Sequence, residues 1–177
     1  LVNGVNVNEN LRQQARPLYV EDAIQETKVS AGNISAEYGR FQGGVVNMIT
    51  KSGGNNVSGS FRTTFTNDGW KGLTPFPGDA NISQTVPAYE ATVGGPVLRD
   101  KLWFFTAARL QNNVTNQTTA FTGFNYAFKT ADKRGEGKLT YTLNPRNTVK
   151  VSYFNRTNAF TNNSFSSISR PASSRRA

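Results

Sequence analysis

The sequence predicts a mainly β fold, with a short α+β region over residues 1–55 and about five antiparallel strands over residues 56–177. Three observations carry this expectation. Five segments alternate apolar and polar residues with period two. Their connections run long, short, long, short. The composition is only 36% hydrophobic yet 11% aromatic, with a mean hydropathy of −0.51. That balance suits sheets with one wet face better than a disordered chain, which is poor in aromatics.

The first region opens with alternation at Val2, Val5 and Val7, and the Asn3-Gly4 pair is a turn signal. LYVEDAIQE, residues 18–26, predicts a helix start, because Glu21 and Asp22 in the first turn suit the helix dipole. A short strand follows at Thr27 to Ser30. SAEYGR, residues 35–40, predicts one more helical turn, with Ser35 as N-cap and Gly39 as the stop. GGVVNMITKSGGNN then predicts a strand from Val45 to Thr50 bounded by glycines. Val45, Val46, Met48 and Ile49 put apolar residues on both faces, as burial on both sides requires. Gly43 and Gly44 suggest close backbone approach or positive φ, and Gly53-Gly54 a hinge.

Beyond Asn56 the period-two pattern takes over. In VSGSFRTTF, Phe61 and Phe65 oppose Arg62 and Thr64. In AYEATVGGPV, Tyr89, Ala91 and Val93 oppose Glu90 and Thr92. In KLWFFTAARLQ, Leu102, Phe104, Ala108 and Leu110 oppose Trp103, Phe105, Ala107 and Arg109. In GKLTYTLN, Leu139, Tyr141 and Leu143 oppose Lys138, Thr140 and Thr142. In TVKVSYFNR, Val149, Val151 and Tyr153 oppose Lys150, Ser152 and Phe154. A soluble sandwich and a membrane barrel share this alternation. The connections favour the barrel: long polar loops at 67–87 and 112–133, and tight turns at Arg99-Asp100 and Asn144-Pro145-Arg146-Asn147, with proline at position i+1. Outer-membrane barrels carry long loops at one rim and short turns at the other. Trp103, Phe104 and Phe105 follow a short turn, where a rim girdle and a core cluster are equally good readings.

Composition narrows the chemistry. With no cysteine and no histidine, there is no disulfide framework, no thiolate site and no imidazole base or ligand. The aspartates are isolated, the glutamates show no paired spacing beyond a helical face, and neither a calcium loop nor a phosphate loop occurs. No enzyme is expected. The net charge of +9 is spread among strand residues and reads as solvated surface; the one cluster is Arg170, Arg175 and Arg176 in the tail. There is no apolar run of ~18 residues for a transmembrane helix, whereas barrel strands need only about 10 alternating residues. The chain begins inside a strand pattern without an initiator methionine, so a truncated piece of a longer protein is expected.

The order of segments in residues 1–55 resembles the plug of TonB-dependent outer-membrane receptors. LVNGVNVNEN stands where that family has its "DG-V-VN" turn, VEDAIQETKVS where it has "I-x-x-I-E-V", SAEYGRFQ where it has "A-x-Y-G", and GGVVNMITK at its closing plug strand. The phrasing ISAEYGRFQGGVVNMITKSGGN, VSGSF and YEATVGGPVLRDKLWFF is similar to the Oar-like branch. The likeness is good over about residues 1–110 and looser beyond. It implies that 1–55 is the C-terminal part of an α+β plug domain, and that 56–177 holds the first strands of an incomplete transmembrane β-barrel of about 22 strands. The plug-end signature is structural: Tyr38, Gly39 and Arg40, then Gly43, Gly44, Val45, Asn47, Ile49, Thr50 and Lys51. Ala31-Gly32-Asn33 replaces the family's Arg-Gly-Pro, so the plug-to-barrel role of that arginine does not carry over; Arg40 is the candidate for it.

The resemblance further implies import of an extracellular ligand of siderophore, carbohydrate or peptide class. Energy would come through TonB, which would engage an upstream portion holding the TonB box. The implied location is the outer membrane, in contact with lipid, with no cofactor and no nucleic acid. Five strands leave unpaired edges, so the chain alone is expected to require detergent. There are two alternatives: a secreted β-rich glycan-binding module, which predicts water solubility, and a basic nucleic-acid-binding β-domain, which predicts salt-dependent affinity.

Overall fold

In the computed structural model, residues 1–8, 18–31, 44–70, 72, 84–118 and 125–162 are described. Seven strands occur in order: β1 Ile24–Ala31, β2 Gly44–Thr50, β3 Ser58–Asn67, β4 Thr85–Leu98, β5 Leu102–Thr118, β6 Asn125–Asn144 and β7 Asn147–Thr161. β1 and β2 form an antiparallel pair, and β3 to β7 form one sheet in sequence order. The fold is therefore mainly β and antiparallel, with no α-helix among the described residues. By contacts the chain divides into two compact units, one of residues 1–60, 91–108 and 134–155, the other of 61–90, 109–133 and 156–177.

In the first unit, the Asn3-Gly4 signal is a two-residue hairpin. Asn3 and Gly4 have φ of 50° and 81°, both positive as a type I′ turn requires. Val2 and Val5 exchange both backbone hydrogen bonds at 2.9 Å. Val2 then bridges Met48 in parallel, so β2 has β1 on one side and the hairpin on the other.

The helix expected over 18–26 is absent. Glu21–Ala23 makes a single 3-10 turn, with both acids in it as anticipated, and Ile24 already enters β1. The reason is tertiary. β1 pairs with β2 from Ile24↔Thr50 to Ala31↔Gly44, and that ladder, with β-branched Thr27 and Val29 in it, outweighs a local helix signal.

β2 lies where expected, one residue longer, but it is not buried on both faces. Val45 is buried while Val46 is 41% exposed, because Val46 pairs with the exposed Val29. Gly44 has ordinary φ, and a Cβ there would meet Ser30 O at a normal 3.5 Å, so neither reason offered for it applies. Gly53 is no hinge either. A Cβ on it would collide with Phe104 O, so the glycine is required by close backbone packing.

All five strands expected after residue 56 are present and each is longer than expected, β5 and β6 most of all. The loop expected over 112–133 is mostly strand, since β5 continues to Thr118 and β6 starts at Asn125. Polar residues on both faces of NNVTNQT erase the apolar alternation, but ladder hydrogen bonds do not require it. The long connection after β3 begins with a 3-10 turn at Asp68–Trp70. The short turns hold: β4 and β5 are joined by residues 99–101, with Lys101 N donating to Leu98 O at 3.2 Å. β6 and β7 are joined by Pro145-Arg146, where Asn144 Oδ1 accepts from Arg146 N at 3.0 Å as an Asx-turn does. The helical turn at 35–40 and the arginine-rich tail lie outside the described residues.

Candidate functional site: the polar face of the sheet

Alternation puts Ser60, Thr92, Phe105, Ala107, Arg134, Glu136, Lys138 and Thr140 on one face of the strands in the first unit, and this is the covered face. Glu136, Lys138, Thr92 and Thr140 are all buried there. The opposite residues stand open: Val93 39%, Val97 55%, Leu139 48%, Tyr141 41%, Leu143 58%, Val151 60% and Tyr153 68% exposed. A water-soluble sandwich buries its apolar face; here the polarity is inverted.

Residues 19–23 and 50–51 cover the polar face. Val20 and Ala23, both fully buried, pack with Phe105 and Ala107. Around this small apolar contact the bonds are polar. Lys138 Nζ donates to Thr50 O at 2.8 Å and Lys51 O at 3.1 Å. Arg134 donates to Tyr19 O at 3.2 Å. Ser60 Oγ donates to Asp22, and Lys51 Nζ lies 4.0 Å from Asp22 Oδ1. Glu136 neighbours Thr50 and Lys138, yet its two buried carboxylate oxygens have no hydrogen-bond partner of acceptable geometry among the described residues.

The second unit repeats the inversion. Phe61 and Phe65 are 72% and 54% exposed, whereas Glu90 on the other face is 3% exposed. Glu90 takes Arg62 of β3 through Nε at 3.1 Å and Arg109 of β5 at 3.0 Å. These are charge-assisted contacts from both neighbouring strands. Arg156 reaches Asp132 at 2.7 Å, and Phe128 stacks on Phe160 with ring centroids 6.1 Å apart.

The residues that the resemblance singled out in 38–51 are placed in part. Tyr38, Gly39, Arg40 and Gly43 lie outside the described residues. Thr50, 1% exposed, is held by Asn3: Asn3 Nδ2 donates to Thr50 Oγ1 and Thr50 N to Asn3 Oδ1, both at 3.0 Å. Asn47 Oδ1 accepts from Gly4 N at 3.1 Å. Lys51 N donates to Ala23 O at 2.8 Å. Ile49 is half-buried opposite Glu26, and Val45 and Gly44 are described above. Trp103, Phe104 and Phe105 divide: Phe105 joins the core, while Trp103 Nε1 donates to Asn55 Oδ1 at 2.7 Å. Asn55 also binds Asp100, through its side chain at 2.6 Å and its backbone N at 3.1 Å, which ties residue 55 to the β4–β5 turn.

Sequence reasoning missed Arg134 and Glu136. The signal was present: Asp132, Arg134, Glu136 and Lys138 recur at every second position, a charged stripe of strand period. Assigning residues up to 133 to a loop hid it. Among the described residues no group of three or more acidic side chains is arranged to hold a metal ion.

The described strands thus form an antiparallel sheet with its charged face covered and its apolar face open. Within that frame, the chain is 35% identical over 114 residues to the TonB-dependent transporter Oar of Myxococcus xanthus, a match spanning 59% of this chain and 11% of that protein. The relationship is distant and partial. No protein-family model and no solved structure matches the chain.

Proposed function

We propose that this chain is a section of an outer-membrane β-barrel transporter of the TonB-dependent kind, with residues 1–55 as the end of its plug and 56–177 as its first five wall strands. The observation that carries the reading is the inverted sheet. Leu139, Tyr141, Leu143, Val151 and Tyr153 are open because lipid is their solvent, and Glu136 and Lys138 are covered because they face the lumen and the plug. β4 to β7, at 14, 17, 20 and 15 residues, exceed the ~9–11 residues a tilted strand needs to cross. The partial likeness to Oar supports an outer-membrane location and a role in passage rather than catalysis. TonB would drive that passage through a portion upstream, and the long connections on the far rim would meet the ligand. A glycan-binding module or a nucleic-acid-binding domain in water would leave this apolar face unprotected.

Expression of the full-length protein with a signal peptide in a Gram-negative host tests the reading. Heat-modifiable migration in the outer-membrane fraction is the expected result. A folded, protease-resistant periplasmic product without detergent would overturn it.

A further inference from the structure

Arg134, Glu136 and Lys138 occupy consecutive inward positions of β6, roughly 7 Å apart along the strand. Lys138 is 6% exposed and gives two hydrogen bonds to the carbonyls of Thr50 and Lys51. An ammonium has three N–H groups. Two positions away, Glu136 is 3% exposed, and neither carboxylate oxygen makes a hydrogen bond of acceptable geometry among the described residues, although Thr50 and Lys138 lie beside it. A buried carboxylate without donors is unfavourable, and wall strands have little reason to keep one. Lys138 acts electrostatically on this carboxylate, and a four-carbon stem with free rotation spans the gap between adjacent inward positions.

We infer that Lys138 is the moving part of a two-position latch: it holds the end of β2 through the Thr50 and Lys51 carbonyls when that segment is docked on β6, and transfers to Glu136 when the segment leaves. The inference rests on the plug-and-wall reading above. The latch explains why Glu136 lacks donors in the docked arrangement, since its partner is engaged elsewhere. It also lowers the cost of release, because the ammonium exchanges two carbonyls for a carboxylate instead of being stranded.

The chain has no cysteine, so a single thiol can report undocking. Ala23 is fully buried, and its carbonyl accepts from Lys51 N at 2.8 Å, so it moves with residues 50–51. The experiment follows maleimide labelling of Ala23→Cys in a full-length, otherwise cysteine-free protein in outer-membrane vesicles. Lys138→Met should speed labelling. Glu136→Gln should slow it by about five- to tenfold, since it removes the acceptor that stabilises the released state and relieves the docked one. With Lys138→Met already present, Glu136→Gln should add no further slowing. Labelling of Glu136→Gln as fast as the unsubstituted protein, or faster, with heat-modifiable migration intact would overturn the latch and leave the barrel reading standing. Absence of the unsubstituted protein from the outer membrane would overturn both.

Discussion

Placing an arginine on the outward face of β6 separates lipid from water as the solvent of that face. Leu139 is 48% exposed and lies five residues before Asn144, the last residue of the strand. Five residues at ~3.3 Å each, tilted by ~40°, place it about 13 Å from the β6–β7 turn, close to half of a ~25 Å apolar band. An arginine near the bilayer midplane of such barrels costs about 2–4 kcal/mol, falling toward zero at the interfaces. For Leu139→Arg this gives about 2–3 kcal/mol, roughly a 30- to 150-fold shift in the folding equilibrium. The control is Ser152→Arg, an exposed inward position of β7 between the outward Val151 and Tyr153, which should cost almost nothing. The assay is the urea dependence of the heat-modifiable band for the full-length protein folded into lipid vesicles. On a water-facing surface both substitutions would stay within about 0.5 kcal/mol. Equal behaviour of the two variants would refute the lipid assignment.

Three further outcomes follow from the packing. Gly53→Ala should impair assembly, because its Cβ would collide with Phe104 O, whereas Gly54→Ala, with nothing within 4 Å of its Cβ, should assemble normally; membrane yield distinguishes them. Glu90→Gln should lower stability by about 2–4 kcal/mol, since it takes the buried carboxylate away from the largely buried Arg109 side chain, 12% exposed. Arg62→Gln, at a side chain 45% exposed, should cost under about 1 kcal/mol, and denaturant midpoints read both. Asn3→Ala should remove the partner of the buried Thr50 N–H, a loss of about 1–3 kcal/mol, and amide exchange at Thr50 should accelerate while exchange in β7 stays unchanged.

Local chemistry made part of this molecule legible. The Asn3-Gly4 turn, the two short connections after β4 and β6, β2 and all five later strands follow from residue preferences that act over a few positions. The strand at Gly44–Thr50 lies where its wording placed it, while Tyr38, Gly39, Arg40 and Gly43 lie outside the described residues. Less was legible where pairing overrode local signals. Glu21 and Asp22 announce a helix start and make only one turn, because β2 captures Ile24 onward. Thr and Asn on both faces of β5 announce a loop and become strand, because a neighbour was there to complete the ladder.

The sequence by itself determined that the chain alternates, that it has a charged and an apolar face, and that it carries neither thiol nor imidazole chemistry. Those properties follow from side-chain identity and the period of an extended backbone. Which face is covered was decided by tertiary structure alone. Alternation is symmetric between a sandwich and a barrel, and only the docking of residues 19–23 and 50–51 against Phe105, Arg134 and Lys138 breaks that symmetry. The same docking explains why Lys138 makes two hydrogen bonds and the Glu136 carboxylate none of acceptable geometry, a difference between adjacent inward positions of one strand that no periodicity encodes.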